Sequence, residues 1–588
     1  MIIPMKKAAI ITQSKDSSEA IGRLRSLGIL HVEHTRAPKG KDINALNDNI
    51  ALISQAIAIL DSTAPSLKVH RLEESYSLDR MTLVRRIIDS SKRIEQLDDY
   101  LRNLEIGLGK WDDWGDFDPE KIEALSAKGV YIRLYQIPVG ELKNLPEGIA
   151  ARVISRAGGI ASCACVSREK IDMPFRELAL PKAGPGRMRE RMKEDLRATS
   201  AIRDEIKGLI RYRGSLASFK KEMESELEFQ EAVAGMGFEG EIAYITGYVP
   251  FDKIALLQGS AKIHRWGLSI TDPSEDDVPP TLIRNPRWVA LISPVLKFLE
   301  ILPGYKELDI SLPFLIFFSM FFGMLIGDAG YGLVYTILTF VIERKMKKRG
   351  ADTSSMPLFY ILGFCAIAWG ACTGTFFGQE WVLKTGYKPL IPALTNEKSL
   401  QRFCFFLGAA HLSIAHAWRA TLKLPSLSAL ADIGWIMVLW SAFFIANMLI
   451  LGDPFPLFVK WLMITGIALV VLFTSPQRNI LKCVGSGLGT VALSLMNSFT
   501  DVVSYVRLFA VGLAGVAIAD AFNAMAGLLG ASNLFAIAGS ALIVLVGHTL
   551  GMLLGPVSVL VHGVRLNVLE FSGHANISWS GINYKPLK

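Results

Sequence analysis

The chain has 588 residues, with 63 Lys+Arg against 55 Asp+Glu, and 51% of it is hydrophobic. From Ile310 onward there are only 18 basic and 10 acidic side chains, so the first half is densely charged and neutral while the second is apolar and holds the whole net +8. That distribution excludes a single water-soluble fold, and it excludes a nucleic-acid binder, whose excess charge would lie on a wet basic face.

The opening residues lack the apolar core and small-residue cleavage site of a signal peptide, which places the first half in the cytosol. Lys7–Thr12 reads as a strand. Asp16-Ser17-Ser18-Glu19 offers capping chemistry to a helix over Ala20–Leu27, Gly28 ends that helix, and Ile29–Val32 is the next strand. The pattern returns at Glu241–Val249 (strand), Phe251–Gly259 (helix) and Gly267–Thr271 (strand), so distant pieces of chain are expected to share one α/β lobe.

Two helical tracts lie between them. Leu83, Ile87, Ser90, Ile94, Leu97, Leu101, Leu104 and Leu108 alternate in steps of four and three, and Ile202, Leu209, Leu216 and Met223 recur every seven. Charged residues fill the other faces, which is the pattern of a coiled-coil seam. The geometry expected is an antiparallel hairpin with a lobe at each end; an ordinary helical domain is the alternative. Six cysteines make no disulfide framework, and Cys163 and Cys165 are too close for a zinc knuckle.

Apolar stretches follow at about 311–327, 330–342, 356–378, 400–418, 429–451, 455–475, 486–528 and 533–571, read as eight membrane helices. With a cytosolic first half, the inside loops and C-terminus carry 11 Lys/Arg and the opposite side 5, a bias that supports both termini inside. The last two stretches run to roughly 60 Å at about 1.5 Å per residue, twice the roughly 30 Å hydrocarbon core, so they must tilt, break or project. Each contains an arginine, Arg507 and Arg565. A buried Arg costs at least about 2.5–3.5 kcal/mol at the bilayer centre, which calls for a charge partner or a watery path; the plainer alternative is snorkelling to an interface. No phosphate-binding G-x-x-x-x-G-K-[ST], H-E-x-x-H or C-x-x-C is present, so no nucleophile, metal or cofactor is assigned.

FFGMLIGDAGYGL (Phe321–Leu333), GTFFG (Gly374–Gly378) and NSFTDVVSYVRLFAVGLAG (Asn497–Gly515) resemble subunit a, called subunit I in prokaryotes, of V/A-type rotary ATPases. The order of parts is similar along the whole chain, including NPRWV and PGYKELD before the first span. The resemblance implies a mainly α fold. A cytosolic domain (1–308) has a proximal α/β lobe (1–40 plus 238–275), a coiled-coil arm (42–125 and 186–236) and a distal α/β lobe (128–183). An eight-helix membrane domain (309–588) ends in two long tilted helices.

It further implies a membrane stator without catalytic chemistry of its own. Such a stator forms two ion half-channels against a rotating proteolipid ring, whose carboxylates bind H⁺ or Na⁺. Its arm holds peripheral stalk subunits, and it works with a ring adaptor on the central stalk and, indirectly, with the ATP-hydrolysing head. A prokaryotic plasma membrane is implied rather than a vacuole. The family's essential arginine falls on Arg507 and its second arginine on Arg565. Candidate half-channel residues are Asn497, Asp501, Ser504, His562 and Glu570. Asn497, Ser504 and Arg507 share a helix face, with Asp501 away from it. His562 and Glu570 flank Arg565, and His548 is expected to be structural. Where relatives carry an acidic residue and a histidine, this chain has Gly555 and Gly515, which leaves the outer lining open. Asp328 is expected to be a hydrogen-bond node between the first two spans. The alternatives are a secondary transporter, which would need its own midplane site and internal repeats, and a structural anchor, which leaves both arginines unexplained.

Overall fold

The computed structural model describes all residues except 64–78, 144, 147, 171, 379–388, 475–492 and 531–532. The expected inside loop at 475–485, Cys483, Lys384 and Lys388, and the start of the 486–528 stretch lie outside the described residues. The fold is mainly helical. It divides into two compact units, residues 1–9, 29–31 and 247–586 in one, and 10–28, 32–246 and 587–588 in the other.

In chain order the first part runs β1 (Met5–Gln13), α1 (Ser17–Leu27), β2 (His31–Glu33), α2 (Lys41–Thr63), α3 (Arg80–Gly109), α4 (Pro119–Ala127), β3 (Tyr131–Pro138), β4 (Ala150–Ala157), β5 (Ile160–Ser167), β6 (Arg176–Leu178), α5 (Pro185–Leu209), α6 (Arg213–Ala234), β7 (Gly237–Glu239), β8 (Ile242–Pro250), α7 (Ile254–His264), β9 (Gly267–Thr271) and α8 (Ser293–Phe298). One sheet has the order β2-β8-β1-β9, with β7 on β8, so strands from the two distant α/β segments do pair. Asp16, expected to cap α1, makes no side-chain cap bond; Gly28 at φ 60° closes the helix as expected.

The other sheet is antiparallel, in the order β4-β5-β3-β6. Gly158 and Gly159 both take positive φ and join β4 to β5, the pairing Ala157↔Ile160 leaving a two-residue turn. Cys163 and Cys165 lie on β5 and are buried.

Residues from both helical tracts share a hydrophobic core to which four helices contribute. Ile53, Ala56 and Leu60 of α2, Leu83, Val84 and Ile87 of α3, Ile206 and Leu209 of α5 and Leu216 of α6 form one core. α2 is long and apolar enough by composition to cross a membrane, and Ile53, Ala56 and Leu60 on one of its faces are buried in this core.

The apolar part runs α9 (Ser311–Ile326), α10 (Ala329–Lys348), α11 (Met356–Thr373), α12 (Glu397–Lys423), α13 (Ala429–Ala446), α14 (Leu457–Phe473), α15 (Leu493–Leu529) and α16 (Leu534–Ala575). Among the described residues, α11, α13 with its π-helical extension to Leu451, α15 and α16 are long and apolar enough to cross a membrane, and α9 and α14 are shorter apolar helices. Phe314, Phe321, Leu439, Tyr505 and Phe571 sit at the centre of the core that joins this set. Asp328 caps α10, accepting from Tyr331 N–H at 3.0 Å, and also accepts from Phe377 N–H at 2.9 Å and Gly378 N–H at 2.7 Å. The node therefore ties the α9–α10 corner to the turn after α11, bringing two of the sequence motifs together.

Candidate functional site

α15 and α16 have 37 and 42 residues, about 56 and 63 Å at about 1.5 Å per residue. Neither is uniform. In α15 the helical hydrogen bonding is interrupted at Tyr505, whose fully buried side chain places its hydroxyl 2.7 Å from Nδ1 of His411. That imidazole stacks on Phe317 and Phe571, with ring centroids 3.8 and 4.4 Å away. In α16, Pro556 removes one backbone donor, and two π-helical runs, Val559–Gly563 and Leu566–Phe571, bracket Arg565. The last two helices thus change their winding on the segments that hold the arginines.

Both arginines reach the same acid. Nη2 of Arg507 lies 3.2 Å from Oε1 of Glu570, and Nε of Arg565 lies 3.4 Å from the same oxygen. The Glu570 side chain is 4% exposed, Arg507 25% and Arg565 54%. The other oxygen of Glu570 is buried without a hydrogen-bond partner. Two cations therefore face one anion, and among the described residues neither guanidinium pairs with another acid.

A polar cavity of about 320 Å³ opens beside the start of α15. Asn497 and Asp501, one helical turn apart, both line it, so Asp501 shares the cavity of Asn497 instead of facing elsewhere; Ser504 is not in its wall. Asp501 begins a series of contacts. Its Oδ2 is 3.2 Å from Nε2 of His574; Nδ1 of His574 is 2.9 Å from Nε2 of His416; Nδ1 of His416 is 3.1 Å from Oδ1 of Asp432. Lys423 and Arg419 close the series at Asp432, at 2.6 and 3.5 Å, and Arg419 also donates to the His574 carbonyl at 2.8 Å.

A second cavity of about 300 Å³ lies between α15, α16 and the α9–α10 corner. His562, Ser558 and Tyr331 are its polar lining, and Gly515 and Gly555 both border it. Beyond Tyr331 the hydrogen bonds continue: its hydroxyl is 2.8 Å from Nδ1 of His548, whose Nε2 is 3.0 Å from Oδ1 of Asn523, and Asn523 donates to the Phe377 carbonyl at 2.7 Å.

No family model matches the chain. Curated proteins do. It is 31% identical to the V-type ATP synthase subunit I of Borreliella burgdorferi, over 100% of this chain and 99% of that one. It is 30% identical to the V-type ATP synthase subunit I 1 of Treponema pallidum, over 100% of both. The chain belongs to the V-type ATP synthase subunit I family. It is also 26% identical to the A-type ATP synthase subunit I of Methanocaldococcus jannaschii, over 66% of this chain and 63% of that one. As a subunit I it is a multi-pass membrane subunit of a rotary ATPase.

Of the residues singled out by sequence, Arg507, Arg565 and Glu570 meet at one point, Asn497 and Asp501 share one cavity, and His562 lines another. His416, His574, Asp432, Arg419 and Lys423 are a polar group that sequence reasoning passed over, apart from counting Arg419 and Lys423 as loop charges. The one available signal was Asp432, an acid just inside an apolar helix.

Proposed function

We propose that this subunit I is the ion-translocating stator of its complex. Its eight spans hold two half-channels that meet the proteolipid rotor ring beside Arg507. Its first half and C-terminus face the cytosol. The coiled-coil arm, 42–125 with 186–236, carries the peripheral stalk subunits, and the two α/β lobes stand at its ends. The domain division at 308/309 separates that cytosolic domain from the spans.

The observation that carries this reading is the two-to-one meeting of Arg507 and Arg565 on Glu570. An internal ion pair satisfying Arg507 completely would argue against a ring partner. Here one positive charge is left over, and both guanidiniums retain exposed surface. Arginine keeps its proton in any environment a protein offers. A ring carboxylate brought beside it is driven to ionise and releases its ion. The same charge repels cations, so ions approach from either side without crossing. The two cavities, one at Asn497 and Asp501 and one at His562, support two such approaches. Much of α16 is left uncovered within this chain, including Leu545, Leu553, Val557 and Val561, which suits a helix that faces lipid and a ring.

The test is Arg507→Ala in the assembled complex, reconstituted into sealed vesicles. It is expected to assemble, hydrolyse ATP without coupling and pump no ion. Coupled pumping at the parent rate would overturn the assignment.

A further inference from the structure

The place of the Arg507 guanidinium is set by the chain beneath it. Among the described residues it makes one polar contact, from Nη2 to Glu570, although it carries five N–H donors. Its direction therefore depends on the local winding of α15. There the Tyr505 N–H bonds the Val502 carbonyl at 3.3 Å and the Leu508 N–H bonds the Tyr505 carbonyl at 3.0 Å, each three positions back. Bonding three positions back turns the chain about 20° further per residue than bonding four back. Arg507 lies inside this overwound step, so its bearing toward Glu570 holds only while the step is kept.

The His411 imidazole of α12 touches both flanks of the Arg507–Glu570 pair. Its Nδ1 lies 2.7 Å from the hydroxyl of Tyr505, two residues before Arg507. Its face stacks on Phe571, the residue after Glu570, with centroids 4.4 Å apart and planes 14° from parallel. Phe317 and Phe321 of α9 close round it at 3.8 and 5.6 Å. His411 and Tyr505 are fully buried, and His411 lines neither of the two cavities described above. Nε2 of His411 has no partner among the described residues. If the hydroxyl donates to Nδ1, one ring hydrogen on Nε2 goes unpartnered. If Nδ1–H donates instead, the hydroxyl hydrogen and the Nε2 lone pair both do, so the hydroxyl is the donor. Gly408, one turn earlier on α12, makes room for the Tyr505 ring: a Cβ there would lie 2.7 Å from its Cδ2.

We infer that His411 is a positioning residue for Arg507. By holding the Tyr505 hydroxyl it keeps the overwound step of α15, and by stacking on Phe571 it fixes the neighbouring segment of α16, so that guanidinium and carboxylate meet in one register. Without the bond to Tyr505, α15 is free to take regular four-back winding, which swings Arg507 away from its bearing. This rests on the stator reading above, because it concerns where the guanidinium stands. His411 itself carries no ion.

The experiment uses the whole complex in sealed vesicles. Ion transport is followed with a potential-sensitive dye, which responds to any cation, and ATP hydrolysis and thermal unfolding are measured in parallel. Tyr505→Phe removes one oxygen, and His411→Phe keeps a stacking ring. Each is expected to lower the melting temperature, because it strands a buried polar group. Each is also expected to cut ion transport per ATP about 10-fold or more. The double variant Tyr505→Phe with His411→Phe strands nothing, so its melting temperature is expected to recover toward the parent while transport per ATP stays low. A purely structural pair would not separate these two readouts, and transport that recovers together with stability overturns the inference. So does parent-level transport by either single variant, or failure of the double variant to assemble, which would make the pair a requirement of folding. Parent-level transport by Arg507→Ala overturns the stator reading beneath it.

Discussion

Arg507 and Arg565, carried by different helices, end on the same oxygen of Glu570, at 3.2 and 3.4 Å. Removing that acid leaves two guanidiniums facing each other. Glu570→Gln should therefore destabilise the protein by an amount between the roughly 1 kcal/mol of an exposed pair and the roughly 3–5 kcal/mol of a buried one. Adding Arg565→Gln should recover stability, because it removes the unpaired charge. Thermal unfolding of the purified complex measures both. A Glu570→Gln variant as stable as its parent would show that the three groups are not an electrostatic unit.

Asp328 accepts three backbone N–H groups through two oxygens. Asp328→Asn keeps one acceptor and turns the other into a donor, so at least one buried N–H loses its partner, at about 1–3 kcal/mol. The expected result is a lower melting temperature and poorer yield, with a normal coupling ratio in the protein that survives. A variant of parental stability that pumps poorly would instead make Asp328 part of the ion path.

Two glycines predict opposite outcomes for the same change. A Cβ on Gly370 would sit 2.1 Å from the backbone nitrogen of Ala329, whereas a Cβ on Gly515 meets nothing within 4 Å. Gly370→Ala should cost about 1–3 kcal/mol through forced separation of α10 and α11. Gly515→Ala should leave stability unchanged. Melting temperatures compared side by side test the close approach.

Away from the spans, the ammonium of Lys7 beside Asp277, at 2.7 Å, and the Ser274 N–H hold that carboxyl down to about 2. An unfolded Asp titrates near about 3.9. The folded value is the lower one, so the pair stabilises fully above the unfolded range and its contribution disappears as pH falls toward about 2. Asp277→Asn should destabilise the protein near neutrality by up to about 1 kcal/mol, since both groups retain some exposure, and so lower its melting temperature. The gap from the parent should narrow as pH falls below about 4 and close as pH approaches about 2. A gap that stays constant over that interval would remove the ion pair as its cause.

The sequence was legible where a pattern lay within one segment. Apolar periodicity fell on the helices α3, α5 and α6, apolar runs fell on the apolar helices from α9 onward, and a lone Arg in each of two overlong runs fell on α15 and α16. It was not legible where partners came from different helices. Nothing near Arg507 announces Glu570, 63 positions away, and the contacts that join His416, His574 and Asp501 span 158 and 73 positions. Nor is the break at Tyr505 signalled by Pro or Gly; it falls where the Tyr505 ring packs on His411 from another helix. α2, which the sequence reading placed in the arm, is apolar enough by composition for lipid, and its neighbours in the four-helix core cover part of that apolar face.

The void at Gly515 and Gly555 is a space defined by atoms the chain omits. Its roughly 300 Å³ is lined mainly by apolar side chains, with His562, Ser558 and Tyr331 as the polar ones. A carbon added at Gly515 would meet nothing within 4 Å and so narrow the space, whereas one at Gly555 would press on Cδ1 of Ile326 at 2.7 Å. A gap of this kind can be tuned from the Gly515 side, one carbon at a time, without relocating any charged group.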